Sequence, residues 1–170
     1  MSEENNLRPF ENIDLLALAK DQESLDLLAR LQGQTVLELG CGNIARSAIT
    51  SELLFDKYGV RKYLGVDSGV RNFKSARVNL LSIDPSDFLS KWADDSVSIL
   101  TSGWCASRFP FPTVLQEWAV EHIYRVTARG GLYICIASDN LARFAQKSFQ
   151  QSHSDSHAGR LSIFSKDYLM

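Results

Sequence analysis

Short, largely apolar runs recur along this 170-residue chain, and segments with helical spacing separate most of them. The runs are TVLELG (35–40), KYLGVD (62–67), VNLLSI (78–83), SVSILTS (96–102), LYICIA (132–137) and RLSIFS (160–165). Such runs are typical of strands that are covered on both faces. Strands that alternate with helices predict an α/β fold, a doubly wound and mostly parallel sheet of six to seven strands with helices on both faces.

The segments between the runs predict the helices and the domain limits. Residues 1–33 predict a helical leader, whose second helix is capped by Asp21 or Ser24 and stopped by Gly33. Further helices are expected at 45–58, 70–76, 86–93, 113–127 and 141–149, and a polar loop at 150–159. The apolar face of the 45–58 helix is predicted to be Ala45, Ala48, Ile49, Leu53 and Leu54. We expect one domain over 1–170, with a core at 34–138 and a short C-terminal part at 139–170.

The charge balance limits the class of partner. Eighteen Lys and Arg against 20 Asp and Glu give a net charge of −2, and 45% hydrophobic residues indicate an ordinary globular chain. This composition favours a small-molecule substrate and argues against nucleic acid held by a strongly basic surface, although a local basic patch remains open. A homodimer also stays open.

The cysteines and the hydropathy indicate the compartment. Cys41, Cys105 and Cys135 are odd in number and lack CxxC spacing, which predicts reduced thiols and no metal site. No apolar run reaches the length of a membrane span, and the polar start MSEENN does not resemble a signal peptide. We therefore expect a cytoplasmic protein that does not associate with membranes.

The candidate site comes from topology. Ligands of doubly wound sheets bind beyond the carboxyl ends of the strands, so the residues that follow each strand are the candidates. These residues are Gly40, Cys41, Gly42 and Asn43 after the first strand, Asp67 and Ser68 after the second, Asp84 and Asp87 after the third, and Ser102 to Trp104 after the fourth. Glycines, carboxylates and an aromatic side chain together predict a nucleoside pocket.

Two nucleoside-containing ligands fit this pattern. Gly40-x-Gly42-x-x-Ala45 satisfies the dinucleotide pattern, with Asp67 as the downstream acid. Asp67 follows Gly40 by 27 residues (67 − 40), whereas the usual spacing is about 20. An NAD-dependent oxidoreductase is therefore one alternative.

Over residues 35–138 the chain resembles the class I S-adenosylmethionine-dependent methyltransferases. VLELGCG resembles the first motif of that family, YLGVDSG the second, SIDPSDFL the third and DDSVSILTS the fourth, and IYRVTARGGLYICIAS resembles its helix-turn-strand segment. The resemblance implies that Asp67 holds the ribose hydroxyls and that Asp84 contacts adenine. It implies cofactor binding by Glu38, Gly40, Cys41, Gly42, Asp67, Ser68, Asp84 and Ser102.

The resemblance implies methyl transfer from S-adenosylmethionine, with no metal. Acidic side chains at Glu38, Asp67 and Asp84 without nearby lysines suit a cationic cofactor. Alignment of the reactants can supply much of the catalysis of a direct displacement, so no catalytic dyad is required. The acceptor is expected to enter beside residues 103–112 and the N-terminal helices.

Three departures from the family pattern leave a catalytically silent relative as a further alternative. Ile44 stands where a third glycine is common, and Ser98 stands where an aspartate is usual. After Ala137 the chain has room for a helix and one confident strand, whereas the family sheet closes with an antiparallel pair.

Several other residues have competing interpretations. Cys41 is expected to be a small buried residue rather than a nucleophile. His153 and His157 would be metal ligands on a helix, but a solvated loop is favoured. Trp104, Phe109 and Phe111 line an acceptor pocket or plug the sheet edge, and Trp118 is assigned to the core.

Overall fold

The computed structural model describes residues 19–101, 113–136, 139–149, 151–156 and 161–167. Several predicted features lie outside these ranges: the first part of the leader (1–18), Cys105, the aromatic loop with Ser102, Trp104, Phe109 and Phe111, and His157. Within the described ranges, no helix combines the length and the apolar character that a bilayer span requires.

Eight strands of the described chain form one sheet in the order β3-β4-β2-β1-β5-β6-β8-β7. The strands are β1 (Thr35–Leu39), β2 (Lys62–Val66), β3 (Phe73–Lys74), β4 (Val78–Leu81), β5 (Ser98–Thr101), β6 (Leu132–Ile136), β7 (Gln151–Ser156) and β8 (Leu161–Ser165). All six predicted strands are present, and the predicted doubly wound α/β class is confirmed. The sheet exceeds the predicted six to seven strands because both of its edges carry an additional strand.

The central strands are parallel and the outer strands are antiparallel. β1 runs parallel to β2 and β5, and the parallel pairing continues from β2 to β4 and from β5 to β6. β8 is antiparallel to both β6 and β7, and β3 is antiparallel to β4. The chain after Ala137 therefore supplies a helix and a complete antiparallel pair.

Two predictions of local structure were wrong at the sheet edges. The polar stretch at 151–156 was expected to be a loop but forms β7, and the helix expected at 70–76 is replaced by the two-residue strand β3. Edge strands are paired on one side only and often carry polar or charged residues. The apolar signal that identified the inner strands is therefore not required there.

Among the described residues, helices fill both faces of the sheet. They are α1 (Gln22–Leu28), which continues as a 3₁₀ turn over Ala29–Leu31, α2 (Ile44–Tyr58), α3 (Pro85–Lys91), α4 (Thr113–Val126) and α5 (Asp139–Ser148). Asp21 caps α1 as predicted, because its carboxylate accepts a hydrogen bond from the Ser24 amide at 2.8 Å. Gly33 follows the 3₁₀ turn at a φ of 74°.

The predicted helix is present as α2, but its apolar residues and its buried side largely differ. Ala45 and Ala48 are exposed, and Ile49 is 45% exposed. The buried positions are instead mostly polar: Arg46, Ser47, Thr50, Ser51, Leu54 and Tyr58. The polar side of this helix therefore packs against the sheet.

The core consists of two apolar clusters, one on each face of the sheet. Consecutive residues of an inner strand contribute to opposite clusters. Val36 belongs to the cluster that contains Leu28 and Leu54 of α1 and α2, whereas Leu37 belongs to the cluster that contains Val120 of α4. Side chains alternate between the two faces of a strand, so consecutive apolar residues supply both layers. Because β1, β2, β4 and β5 are parallel, their carboxyl ends all lie at one end of the sheet.

Gly65 of β2 lies at a close contact beneath the loop that follows β1. A Cβ atom at this position would lie 2.8 Å from Cδ2 of Leu80 and 2.9 Å from Sγ of Cys41. Both distances are too short for van der Waals contact, so a larger side chain requires the neighbours to move.

We predict that Gly65→Ala lowers the free energy of unfolding by about 1–3 kcal/mol, because overpacking of a buried site costs that much. Urea denaturation monitored by circular dichroism measures the change. In a Leu80→Ala background the same substitution should cost less, since the nearest atom is gone. An equal cost in both backgrounds would contradict the proposed contact.

Candidate functional site

A glycine-containing loop connects β1 to α2 across the ends of two strands. Gly40 and Gly42 have φ values of 75° and 79°, in the left-handed region that strains other residues. The amide nitrogens of Gly40 and Cys41 donate to the Val66 carbonyl at 2.8 and 3.3 Å, which holds the loop against the end of β2. Both glycines are therefore required by backbone conformation.

Asp67 follows β2 and connects that strand to the loop. Its carboxylate accepts the Gly42 amide at Oδ2 (3.1 Å) and the Gly69 amide at Oδ1 (2.8 Å), and the residue is 3% exposed. A carboxylate offers about four acceptor positions, so acceptor capacity remains beside these two bonds. The glycine loop and the acid of the second motif thus lie together, and this donor and acceptor set fits a ribose diol.

Glu38 lies within β1 and is 1% exposed. Its Oε1 accepts Nη2 of Arg46 at 2.9 Å, and its Oε2 accepts the Tyr63 hydroxyl. The other terminal nitrogen of Arg46, Nη1, donates to the Gly40 carbonyl at 3.1 Å. Burial raises the pKa of the Glu38 carboxyl, and the Arg46 guanidinium opposes that shift.

This arrangement changes the electrostatic picture drawn from the sequence. The sequence has no lysine near Glu38, Asp67 or Asp84, but an arginine supplies a cation, because Arg46 pairs with Glu38 inside the protein. Both carboxylate oxygens of Glu38 contact protein groups, and the Arg46 guanidinium offsets its negative charge. Contact between Glu38 and the cofactor stays a prediction.

Asp84 and Ser68 lie at the same end of the sheet. Asp84 caps α3, because its Oδ1 accepts the amides of Ser86 (2.8 Å) and Asp87 (3.3 Å). Asp84 and Ser68 are both exposed. These two bonds occupy Oδ1 and cap the helix. The contact of Asp84 with adenine that the resemblance implies stays a prediction.

Cys41 lies in the glycine loop but its side chain is fully buried. Burial raises the pKa of the Cys41 thiol to about 12, with the charge of Glu38 as a secondary cause. A thiol with this pKa remains protonated at neutral pH and is a poor nucleophile. Cys41 therefore serves packing and the backbone path of the loop.

Ile44 occupies the position where the family pattern has a third glycine. It is the first residue of α2, it follows the Asn43 cap, and it is 45% exposed. Within the described chain the one non-glycine residue with positive φ is Asp95. The backbone at Ile44 is therefore compatible with a β-branched side chain.

Ser98 stands at the beginning of β5, remote from the strand ends that form the site. Its hydroxyl donates to the side-chain carbonyl of Gln34 and accepts the Leu132 amide at 2.9 Å. Ser98 therefore ties neighbouring strands together at their amino ends.

The described residues contain no group of three or more metal-binding side chains. His153 lies on β7, so the helical spacing that a metal pair with His157 would need does not apply there. Trp118 of α4 is half-buried, and its ring packs against the His122 ring.

Sequence reasoning missed Arg46 and Tyr63. A buried Glu38 requires partners, and an arginine within the first turn of the next helix was the available signal. In the register of β1 and β2, Glu38 lies opposite Gly65. Tyr63 precedes Gly65 by two positions, so its side chain is on the same face of the sheet as Glu38. Only the strand register brings its hydroxyl to Glu38.

The fold of this chain recurs in solved methyltransferase structures. No protein-family model and no curated sequence match the chain, whereas 47 chains of solved structures do. N-methyltransferase NodS from Bradyrhizobium japonicum WM9 is similar with a TM-score of 0.58 and 12% identity, over 95% of this chain and 98% of that chain.

Two further structures have comparable similarity. A chain from the complex of the Haloferax volcanii Trm112 methyltransferase activator with a protein described as a methyltransferase has a TM-score of 0.52 and 15% identity, over 85% and 89% of the two chains. A protein described as an rRNA methylase from Clostridium thermocellum has a TM-score of 0.51 and 14% identity, over 86% and 94%. At these identities the comparisons establish the fold.

We predict that Arg46→Met lowers the free energy of unfolding by about 3–5 kcal/mol, because it leaves the Glu38 carboxylate buried without its counter-charge. The double variant Glu38→Gln/Arg46→Met should recover a large part of this loss. Urea denaturation of both variants measures the difference.

The matched control is Arg30→Met, which removes the exposed ion pair with Asp167. Exposed pairs contribute about 0–1 kcal/mol, so this change should be small. A double variant as unstable as Arg46→Met would show that the charge imbalance is not the cause.

Proposed function

The chain has the fold of the class I S-adenosylmethionine-dependent methyltransferases, and from this premise we propose that it binds S-adenosylmethionine and transfers the methyl group to an acceptor. The observation that supports the proposal most is the hydrogen bond between the Gly42 amide and the Asp67 carboxylate. It joins the glycine loop and the acid of the first two motifs at the carboxyl ends of β1 and β2, where ligands of this architecture bind.

Each part of the candidate site would contact a different part of the cofactor. Gly40 and Gly42 leave the loop without side chains, so a ligand can approach its backbone. Asp67 accepts the ribose hydroxyls while Gly42 and Gly69 hold its orientation. We further propose that Asp84 and Ser68 approach the nucleoside from the adjacent strand ends, and that Ser102 belongs to the same site.

The bound cofactor would supply an activated methyl group on a sulfonium centre. The protein then needs to align an acceptor atom with that methyl group and to exclude water. A general base is required only for an acceptor that arrives protonated. The proposal therefore does not depend on a catalytic dyad.

The acceptor and the location remain proposals. A small-molecule acceptor and a cytoplasmic location are predictions from composition, and the named neighbours include a protein described as an rRNA methylase. A catalytically silent relative and an NAD-dependent oxidoreductase are the competing functions. The helical backbone at Ile44 and the complete antiparallel pair weaken two of the reasons for the silent alternative.

We predict that the purified chain binds S-adenosylhomocysteine and not NAD. Both ligands carry an adenosine ribose diol, but the pyrophosphate of NAD brings negative charge that the carboxylates of Asp67 and Asp84 disfavour. Isothermal titration calorimetry with each ligand measures this. Binding of NAD alone would support the oxidoreductase. Absence of binding by both ligands would support the scaffold and contradict the proposed activity.

We predict that Asp67→Ala weakens S-adenosylhomocysteine binding about tenfold or more, since it removes a charged acceptor from the ribose. Asp56→Ala, an exposed acid near the end of α2, is the matched control. The analogue that lacks the ribose 2′-hydroxyl separates contact from misfolding: it should bind the wild type more weakly but Asp67→Ala with nearly the same affinity as the parent ligand. Equal discrimination by both proteins would exclude the ribose contact.

A further inference from the structure

Positive charge is concentrated in one short segment of a chain that is slightly acidic overall. Residues 57–77 contain six of the 18 Lys and Arg residues but one of the 20 Asp and Glu residues. That acid, Asp67, is 3% exposed and already accepts two backbone amides. It therefore contributes little compensation at the surface of this segment.

The fold brings five of these cations to one side of the sheet, at or beside its last three strands, β2, β4 and β3. The side chain of Arg77 donates to the carbonyls of Val60 (2.8 Å) and Arg61 (3.3 Å), which places its guanidinium against the start of β2. Tyr63 pairs with Val78, so Lys62 and Arg77 occupy adjacent register positions.

The β3–β4 hairpin extends this charge outward to the edge strand. Lys74 pairs with Asn79, one strand beyond β2, and the Ser75 amide closes the turn by donating to the Val78 carbonyl at 2.7 Å. Arg71 lies at the opposite end of β3, four residues after Asp67. The cations therefore extend along the edge from the amino end of β2 toward the candidate cofactor site.

An exposed aromatic residue lies between Arg71 and Lys74 in the chain. Phe73 is 46% exposed on β3, which is the terminal strand of the sheet. We call the surface formed by Arg61, Lys62, Arg71, Phe73, Lys74 and Arg77 the β3-edge strip. All five cations of the strip are exposed, and none takes part in an ion pair found within the described chain.

We propose that the β3-edge strip binds a single-stranded nucleic acid, with the cations on phosphates and Phe73 stacked on a base. Like charges that lack internal counter-ions repel one another, and an external polyanion relieves that repulsion. Single-strand binding proteins combine a positive track with aromatic stacking platforms, and the strip provides both. A lysine that merely protects an edge from strand pairing would explain Lys74 but not Arg61, Lys62 and Arg77.

The strip revises the expectation about partners drawn from composition. The near-neutral net charge argued against nucleic acid, but the average conceals a local excess of cations. Binding by the strip does not depend on the proposed methyl transfer. Whether the bound strand is also the methyl acceptor rests on the proposed function.

The test uses the full chain and two fluorescein-labelled probes, an oligouridylate and an oligothymidylate of roughly 12 nucleotides, which is within the site sizes of single-strand binders. Fluorescence anisotropy at increasing salt gives the affinity and its salt dependence. We predict binding that weakens as salt rises, because phosphate contacts release counter-ions. Binding of either strand supports the proposal, and the relative affinities assign the sugar.

The variants identify the surface. Lys62→Glu/Lys74→Glu should weaken binding about tenfold or more and reduce the salt slope by roughly 0.7 for each lost phosphate contact. The control Lys20→Glu/Lys91→Glu makes the same change of net charge at exposed lysines elsewhere and should have a much smaller effect. Phe73→Leu should weaken binding about fivefold without changing the salt slope, whereas Ile49→Ala, at an equally exposed apolar residue, should not.

Three results would overturn the proposal: no binding of either probe at low salt, equal weakening by the strip variant and its control, or equally effective competition by polyglutamate of the same charge. The last result would assign the strip to acidic proteins. S-adenosylhomocysteine titration of the same variants keeps this test separate from the proposed function, because the substituted residues lie outside the candidate cofactor site. Thermal unfolding verifies that each variant is folded.

Discussion

A buried ion pair between Glu38 and Arg46 determines how the strand, loop and helix around the candidate site fit together. Burial of either charge alone is costly, and here each is offset by the other. Tyr63 binds the second oxygen of Glu38, and Arg46 also binds the Gly40 carbonyl. One network thus joins β1, β2, α2 and the glycine loop.

The same network explains the orientation of α2. The side of the helix that carries Arg46 must face Glu38, so the exposed positions receive Ala45, Ala48 and Ile49. Thr50 and Ser47 on the buried side satisfy their hydroxyls locally, because they donate to the carbonyls of Arg46 (3.1 Å) and Cys41 (3.5 Å). An apolar periodicity identified the helix correctly but not the face that packs, since one buried charge outweighs several small apolar residues.

The accuracy of the sequence-based predictions followed the degree of burial. The inner strands were found within two residues of their predicted limits, because a strand covered on both faces must be apolar throughout. β3 and β7 were missed, since edge strands carry no such requirement. In the candidate site, Gly40, Gly42 and Asp67 were chosen from their positions after strands, whereas the partners of Glu38, Arg46 and Tyr63, were missed because helix placement and strand register bring them to it.

The sequence by itself determined the doubly wound α/β architecture, and it placed the glycine loop and Asp67 after neighbouring parallel strands, at the end of the sheet that carries the candidate site. These features depend on local patterns, namely apolar runs, helix caps and glycines at turns. Only the tertiary structure decided that Glu38 is neutralised by Arg46, that Ile44 begins a helix without strain, and that dispersed cations form the β3-edge strip. The physical reason is that a local sequence pattern indicates which strands and turns form. The strand register and the placement of the helices decide which side chains, distant or near in the chain, come into contact.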